Sequence, residues 1–190
     1  MIALGWYDNL KDAVYLTLCA TFELDPESND ALTRFIPAYE FDTTTPQAPR
    51  DKNVCYYSIS ELANTGYEYT MTEYGTIDGV PMYRIKNPIP VSVLFTFYGP
   101  EADNDAEHFW MMVMHEHGPQ GPRGVLRKHD TLIMDMRPAR PVCFDEIFEG
   151  TYPRRRADVR LNLIYCNVYE HPSEIVAAPI EFTLEPQSSH

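Results

Sequence analysis

From Asp158 to Tyr169 the chain alternates with a period of two. Odd positions carry Val159, Leu161, Leu163, Tyr165, Asn167 and Tyr169; even positions begin polar with Asp158, Arg160 and Asn162 and turn apolar at Ile164, Cys166 and Val168. Successive side chains of a strand point to opposite faces. The pattern is therefore that of a strand with one face buried throughout and the other entering the core as it proceeds. Three consecutive arginines, Arg154, Arg155 and Arg156, lead into it.

Other segments supply partners and cover for such a strand. "IPVSVLFTFYG" is the most strand-like run, rich in β-branched and aromatic residues and bounded by Pro90 and Gly99. Ahead of it, "GYEYTMTEYGTIDGVPMYRIKN" reads as a long hairpin turning at "DGVP". Residues around 35–41 and 54–59 read as two strands, "DTLIMDMRP" as a short one, and "APIEFTLEP" as a last one. Two helices stand out. From Asp8 to Phe22, Leu10, Val14, Leu18 and Phe22 recur every four residues, with Asp8 as the N-cap and "DPESND" ending the element. From Asp105 to His117, Phe109, Met112 and Val113 form the buried stripe, and Gly118 is the stop. "CFDEIFEGTYPRR" reads as a loop with exposed aromatics, and exposed loops are expected near 42–53 and near 118–130, where "GPQGPRG" breaks regular structure. The expectation is one α+β domain over 1–190: a mainly antiparallel curved sheet, two flanking helices and long loops or arms.

Charge is unevenly spread. The chain of 190 residues has a formal net charge of −13. Nine of its 15 basic residues fall between Arg123 and Arg160 against six acids, so that window nets +3 and the remainder −16. An acidic surface repels phosphates, which argues against gripping nucleic acid. A charge-split molecule instead suits pairing with an acidic neighbour or with a copy of itself. Arg154, Arg155, Arg156 and Arg160 are the candidate interface residues, because a guanidinium fork matches a carboxylate. No apolar run approaches a membrane span, and the N-terminus lacks the basic region of a signal peptide. Cys19, Cys55, Cys143 and Cys166 are widely spaced in apolar surroundings and read as buried, reduced thiols.

Motifs that carry chemistry are absent. There is no GxSxG, HExxH, GxGxxG or Walker loop. His115 and His117, two apart on a helix, face different ways and cannot share an ion. The reading is therefore of a protein with no catalytic residues, no metal and no cofactor.

The order of parts resembles the phage neck and tail-terminator proteins, which close a tail at its head-proximal end. The resemblance rests on an N-terminal helix at "WYDNLKDAVY", the strand "VSVLFTFYG" followed directly by the acidic-capped helix "ADNDAEHFWMMVMH", and the arginine-led strand "RRRADVRLNLIY" preceding "PIEFTLE". It covers roughly residues 54–184 and implies helices packed on a curved sheet. It also implies a homohexameric ring that caps the tail tube and docks to the neck or connector ring, with tube or sheath proteins as further partners. DNA would pass through its lumen without specific binding. The expected place is the virion, after assembly in the host cytoplasm. "TTTPQAPRDKN" and "GPQGPRGVLRKHD" depart from the compact pattern as extra arms. The competing readings are another tail or baseplate adaptor, a small hydrolase and a DNA-binding regulator.

Overall fold

A computed structural model describes residues 5–38, 51–62, 71–77, 80–116, 118–134, 140–146 and 154–172. The expected final strand in 178–186 lies outside these residues, as does most of the expected loop at 42–53. The spine of the fold is a pair of long antiparallel strands, β4 (Val80–Tyr98) and β7 (Arg154–Pro172). They pair without interruption from Met82–Pro172 to Tyr98–Arg156. At about 3.4 Å per residue each runs roughly 60 Å.

Each long strand carries two shorter ones end to end along its outer side. β2 (Val54–Glu61) pairs with Val91–Tyr98 of β4, and β3 (Met71–Ile77) pairs with Val80–Lys86. β6 (Val142–Glu146) pairs with Arg154–Asp158 of β7, and β5 (Thr131–Ile133) pairs with Leu163–Tyr165. β1 (Phe35–Pro37) runs parallel to β2; every other pairing is antiparallel. The architecture is α+β, a mixed sheet with helices on one side.

The sequence reading ended a strand at Pro90, yet β4 runs straight through Pro88 and Pro90. Backbone parity explains how. Leu62 N–H donates to the Pro90 carbonyl on the β2 side, whereas Gly99 N–H donates to the Arg155 carbonyl on the β7 side. Even-numbered residues of β4 therefore direct their backbone polar groups away from β7. Pro88 and Pro90 lack their N–H on the side where β2 has ended at Glu61–Val91 and β3 has yet to begin at Met71–Lys86. Pro88 therefore forfeits no ladder bond, and Pro90 forfeits only the return bond to the Leu62 carbonyl, where the pairing ends. At the other end of β4, Gly99 sits at φ +125°, and a Cβ on it would fall 2.6 Å from the Lys52 carbonyl oxygen. Only glycine makes the turn from β4 towards the next helix without strain.

Odd-numbered residues of both long strands face the helices. Val91, Val93, Phe95 and Phe97 of β4 and Ala157, Val159, Leu161 and Leu163 of β7 are all fully buried. α1 (Trp6–Thr21) lays Leu10, Val14 and Leu18 on this layer, with Ala13 and Thr17 beside them. Its buried hydroxyls are satisfied internally, Thr17 donating to the Ala13 carbonyl and Thr21 to the Thr17 carbonyl. The cap expected at Asp8 is Gly5 instead; Asp8 lies in the first turn. α3 (Ala102–His115) starts three residues earlier than expected and ends two earlier, burying Ala102, Ala106, Phe109 and Val113 while Met112 is half-buried. Phe109 packs on Phe95 with ring centroids 4.5 Å apart and on Phe97 at 5.8 Å.

Two helices were not expected. α2 (Asn29–Arg34) is too short for a periodic signal; it begins where Ser28 accepts a hydrogen bond from Ala31 N–H. α4 (Pro122–Lys128) replaces the loop expected near 118–130. Pro122 opens the helix, where its missing N–H would have had no partner anyway. Leu126 is buried, and Gly124 leaves no room for a Cβ against the backbone of Gly118 and Pro119. β6 likewise replaces an expected loop, because Arg154–Asp158 of β7 offers it a free edge to pair with. Among the described residues no helix is long and apolar enough to cross a membrane.

Arg34 closes the helical side. It bridges Asp105 of α3 at 2.7 Å and lies 4.4 Å over the Phe22 ring. Burial raises the Asp105 pKa above its ordinary 3.8, opposed by Arg34. The folded state thus keeps the Asp105 proton to higher pH than the unfolded chain does, and ionising it works against folding. The stability of the protein relative to Asp105→Asn is expected to be greatest below pH 3.8 and to fall as pH rises through the folded-state value. Melting temperatures of both proteins from about pH 3 to about 7 check this; a difference that grows with pH contradicts it. Phe109→Ala is expected to cost about 3–5 kcal/mol by urea denaturation, because it empties the contact between α3 and the sheet.

Candidate functional site

The four arginines of the opening signal enter β7 from its first residue, and strand alternation separates them. Arg154 pairs with Glu146 of β6, Arg155 with Asp145 and Arg156 with Phe144. The Arg154 side chain lies outside the described residues.

Arg155, an odd position, turns to the helical side. Its Nη2 meets Asp103 Oδ2 at 2.7 Å, in the first turn of α3. At 58% exposure the Arg155 end of this pair is well solvated, so it contributes at most about 1 kcal/mol. Asp103 gains further from the positive end of α3. Its Oδ1 is buried without a hydrogen-bond partner among the described residues.

Arg156, an even position, lies on the opposite face. It donates from Nε to Asp158 Oδ1 at 3.0 Å and from Nη2 to Asp158 Oδ2 at 2.9 Å, a two-pronged fork between strand positions two apart. The guanidinium lies 4.9 Å over the Phe144 ring and 5.7 Å from that of Tyr98. Arg160 continues this face and is exposed. The cluster is thus divided: Arg155 and Arg156 both hold carboxylates of their own chain, and Arg160 is exposed without such a carboxylate among the described residues.

Among the described residues no helix lies over the face that carries Arg156 and Arg160, although Ser92 and Thr96 on it are buried. Its exposed apolar residues were only partly legible in the sequence. Val142 is 62% exposed, Phe144 41% and Leu132 49%. Register places Val142 opposite Asp158, Phe144 opposite Arg156 and Leu132 opposite Ile164. The aromatic residues of "CFDEIFEG" had signalled exposure, but reading the segment as a loop hid their place on a sheet face. Large apolar groups interleaved with arginine on an exposed surface have the composition found in protein contact surfaces.

The thiols are not activated. Cys19 and Cys55 are buried and Cys166 half-buried, but Cys143 is exposed, contrary to the expectation of buried thiols throughout. Desolvation raises the pKa of all four. At Cys143 the Asp103 charge adds to the rise and Arg155 opposes it, so the thiol stays protonated at neutral pH. Among the described residues no three His, Cys, Asp or Glu side chains gather into a metal-binding group. His117 lies outside those residues.

Compared with protein-family models and with curated proteins, the sequence matches none. A double-mutant cycle over Arg156→Ala and Asp158→Ala is expected to give a coupling of about 1 kcal/mol in thermal or urea denaturation. A coupling of zero would show that solvent dissolves the fork.

Proposed function

We propose that this chain is a structural subunit of a tailed-phage virion, one of six copies in a ring that ends the tail tube and joins it to the head connector. It acts by assembly and not by catalysis. DNA passes through its lumen without specific binding.

The observation that carries this reading is the reach of the β4–β7 ladder. Among the described residues the hydrophobic core positions of the two long strands stop at Ile89 and Tyr165, and the last buried position is Asn167. Beyond them, Val80–Pro88 of β4 and Cys166–Pro172 of β7 continue with β3 as a three-stranded arm. Three strands need a packed face to be stable. An arm extending past its own core suits a subunit that completes its packing on a neighbour.

The surface and charge support the same reading. A ring needs head-to-tail contacts in which one patch meets a different patch on the next copy. The open sheet face offers Val142, Phe144 and Arg160 for one side of that contact. The remainder of the chain, at −16, supplies acids for the other side and for a lumen wall that repels phosphate.

Arg160 is the arginine to test, since Arg155 and Arg156 already hold Asp103 and Asp158. Native mass spectrometry of the purified chain is expected to show a hexamer, and Arg160→Glu to reduce its population about tenfold or more by setting like charges against each other. Negative-stain imaging should show a ring open wide enough for a duplex. A monomer at all concentrations, or a hexamer indifferent to Arg160→Glu and to Phe144→Ser alike, overturns the proposal.

A further inference from the structure

Arg123 of α4 is only 9% exposed. Its Nε donates to the Val113 carbonyl at 2.6 Å. That carbonyl is in the last turn of α3, whose carbonyls have no partner within the helix, and a positive charge there suits the helix dipole. This capping role accounts for the buried stem and for Nε. It does not account for Nη1 and Nη2, which have no partner among the described residues and are not sealed from solvent.

With Nε held by α3, the free end of the guanidinium is what Arg123 brings to a cleft of about 210 Å³. The cleft is lined by Arg123, Leu126, Arg127, Thr131, Leu132 and Ile133. Arg127 lies one helical turn beyond Arg123 and so shares its face. Thr131 already donates its hydroxyl proton to the His129 carbonyl, so the charged donors in the cleft are the two arginines. Burial lowers the Arg123 pKa, and the charge of Arg127 lowers it further, with no acid acting on it in the other direction. Among the described residues, no carboxylate lines the cleft beside its two arginines.

We propose that this cleft binds a small organic acid, its carboxylate between Arg123 and Arg127 and its short apolar body against Leu126 and Ile133. Paired guanidinium donors fit an oxyanion, and the planar fork fits a carboxylate. The aliphatic walls favour an acid with an apolar body over a bare inorganic anion, which would leave them wet. The site lies at the β5 edge and is independent of any ring contact made by Arg160.

Isothermal titration of the full chain with benzoate, benzamide and inorganic phosphate tests this. Benzoate is expected to bind more tightly than benzamide, which has the same shape without the charge, and more tightly than phosphate, which has the charge without the apolar body. Arg127→Gln, a change at an exposed side chain, is expected to weaken benzoate about tenfold or more and leave benzamide unchanged. Arg123→Met is expected to abolish benzoate binding and to lower the melting temperature, since it also frees the Val113 carbonyl. If that variant does not fold, Arg127→Gln decides alone. The proposal is overturned if the wild-type chain does not bind benzoate, if phosphate binds more tightly than benzoate, or if Arg127→Gln binds benzoate as well as wild type.

Discussion

Every feature of this molecule is referred to one ladder, the antiparallel pairing of β4 and β7. Because the side-chain period of a strand is two, sliding that ladder by one residue would turn Val91, Val93, Phe95 and Phe97 away from the helices. Burial of one face therefore holds the register, and the register places everything else. It puts Pro88 where no neighbouring strand needs its N–H and Pro90 where the pairing with β2 ends. It sends Arg155 to the helical side and Arg156 to the open side. It leaves the outer edge of β7 free for β5 and β6, which bring Leu132, Val142 and Phe144 onto the uncovered face.

Arginine has three structural uses here, and they separate by what the guanidinium has left to offer. Arg34 is spent inside the fold, between Asp105 and the Phe22 ring. Arg156 is spent on the surface, forked on Asp158 and flat against Phe144, where it stiffens the open face. Arg123 is half spent, with Nε on the Val113 carbonyl, and it also lines a cleft. Arg160 is unspent. Counting positive charge along the chain treats these as equal, but only the residues with donors to spare can meet a partner or a ligand.

Legibility followed the range of the interactions. The α1 stripe of Leu10, Val14 and Leu18 and the alternation along β7 were readable because each is a repeat among near neighbours, imposed by a face that must be buried. α4 was hidden because Gly121, Pro122 and Gly124 are local breakers; Pro122 is tolerated as the first helical residue, and Gly124 is required by the close approach of Gly118 and Pro119. The full length of β4 was hidden by its prolines, which are tolerated only because of where two other strands end. β6 was hidden because its strand character comes from the edge it joins.

By itself the sequence determined which faces of the main strand and helices are apolar, that the class is α+β, and that positive charge gathers between Arg123 and Arg160 in an otherwise acidic chain. These are properties of neighbouring residues and of composition, and no fold is needed to express them. Only the tertiary structure decided which arginines are engaged. Arg34 meets Asp105 and Arg155 meets Asp103 across long stretches of chain, and Arg123 reaches back to the end of another helix. Those partners are chosen by how helices seat on the sheet, a matter of packing between distant segments that no local pattern encodes.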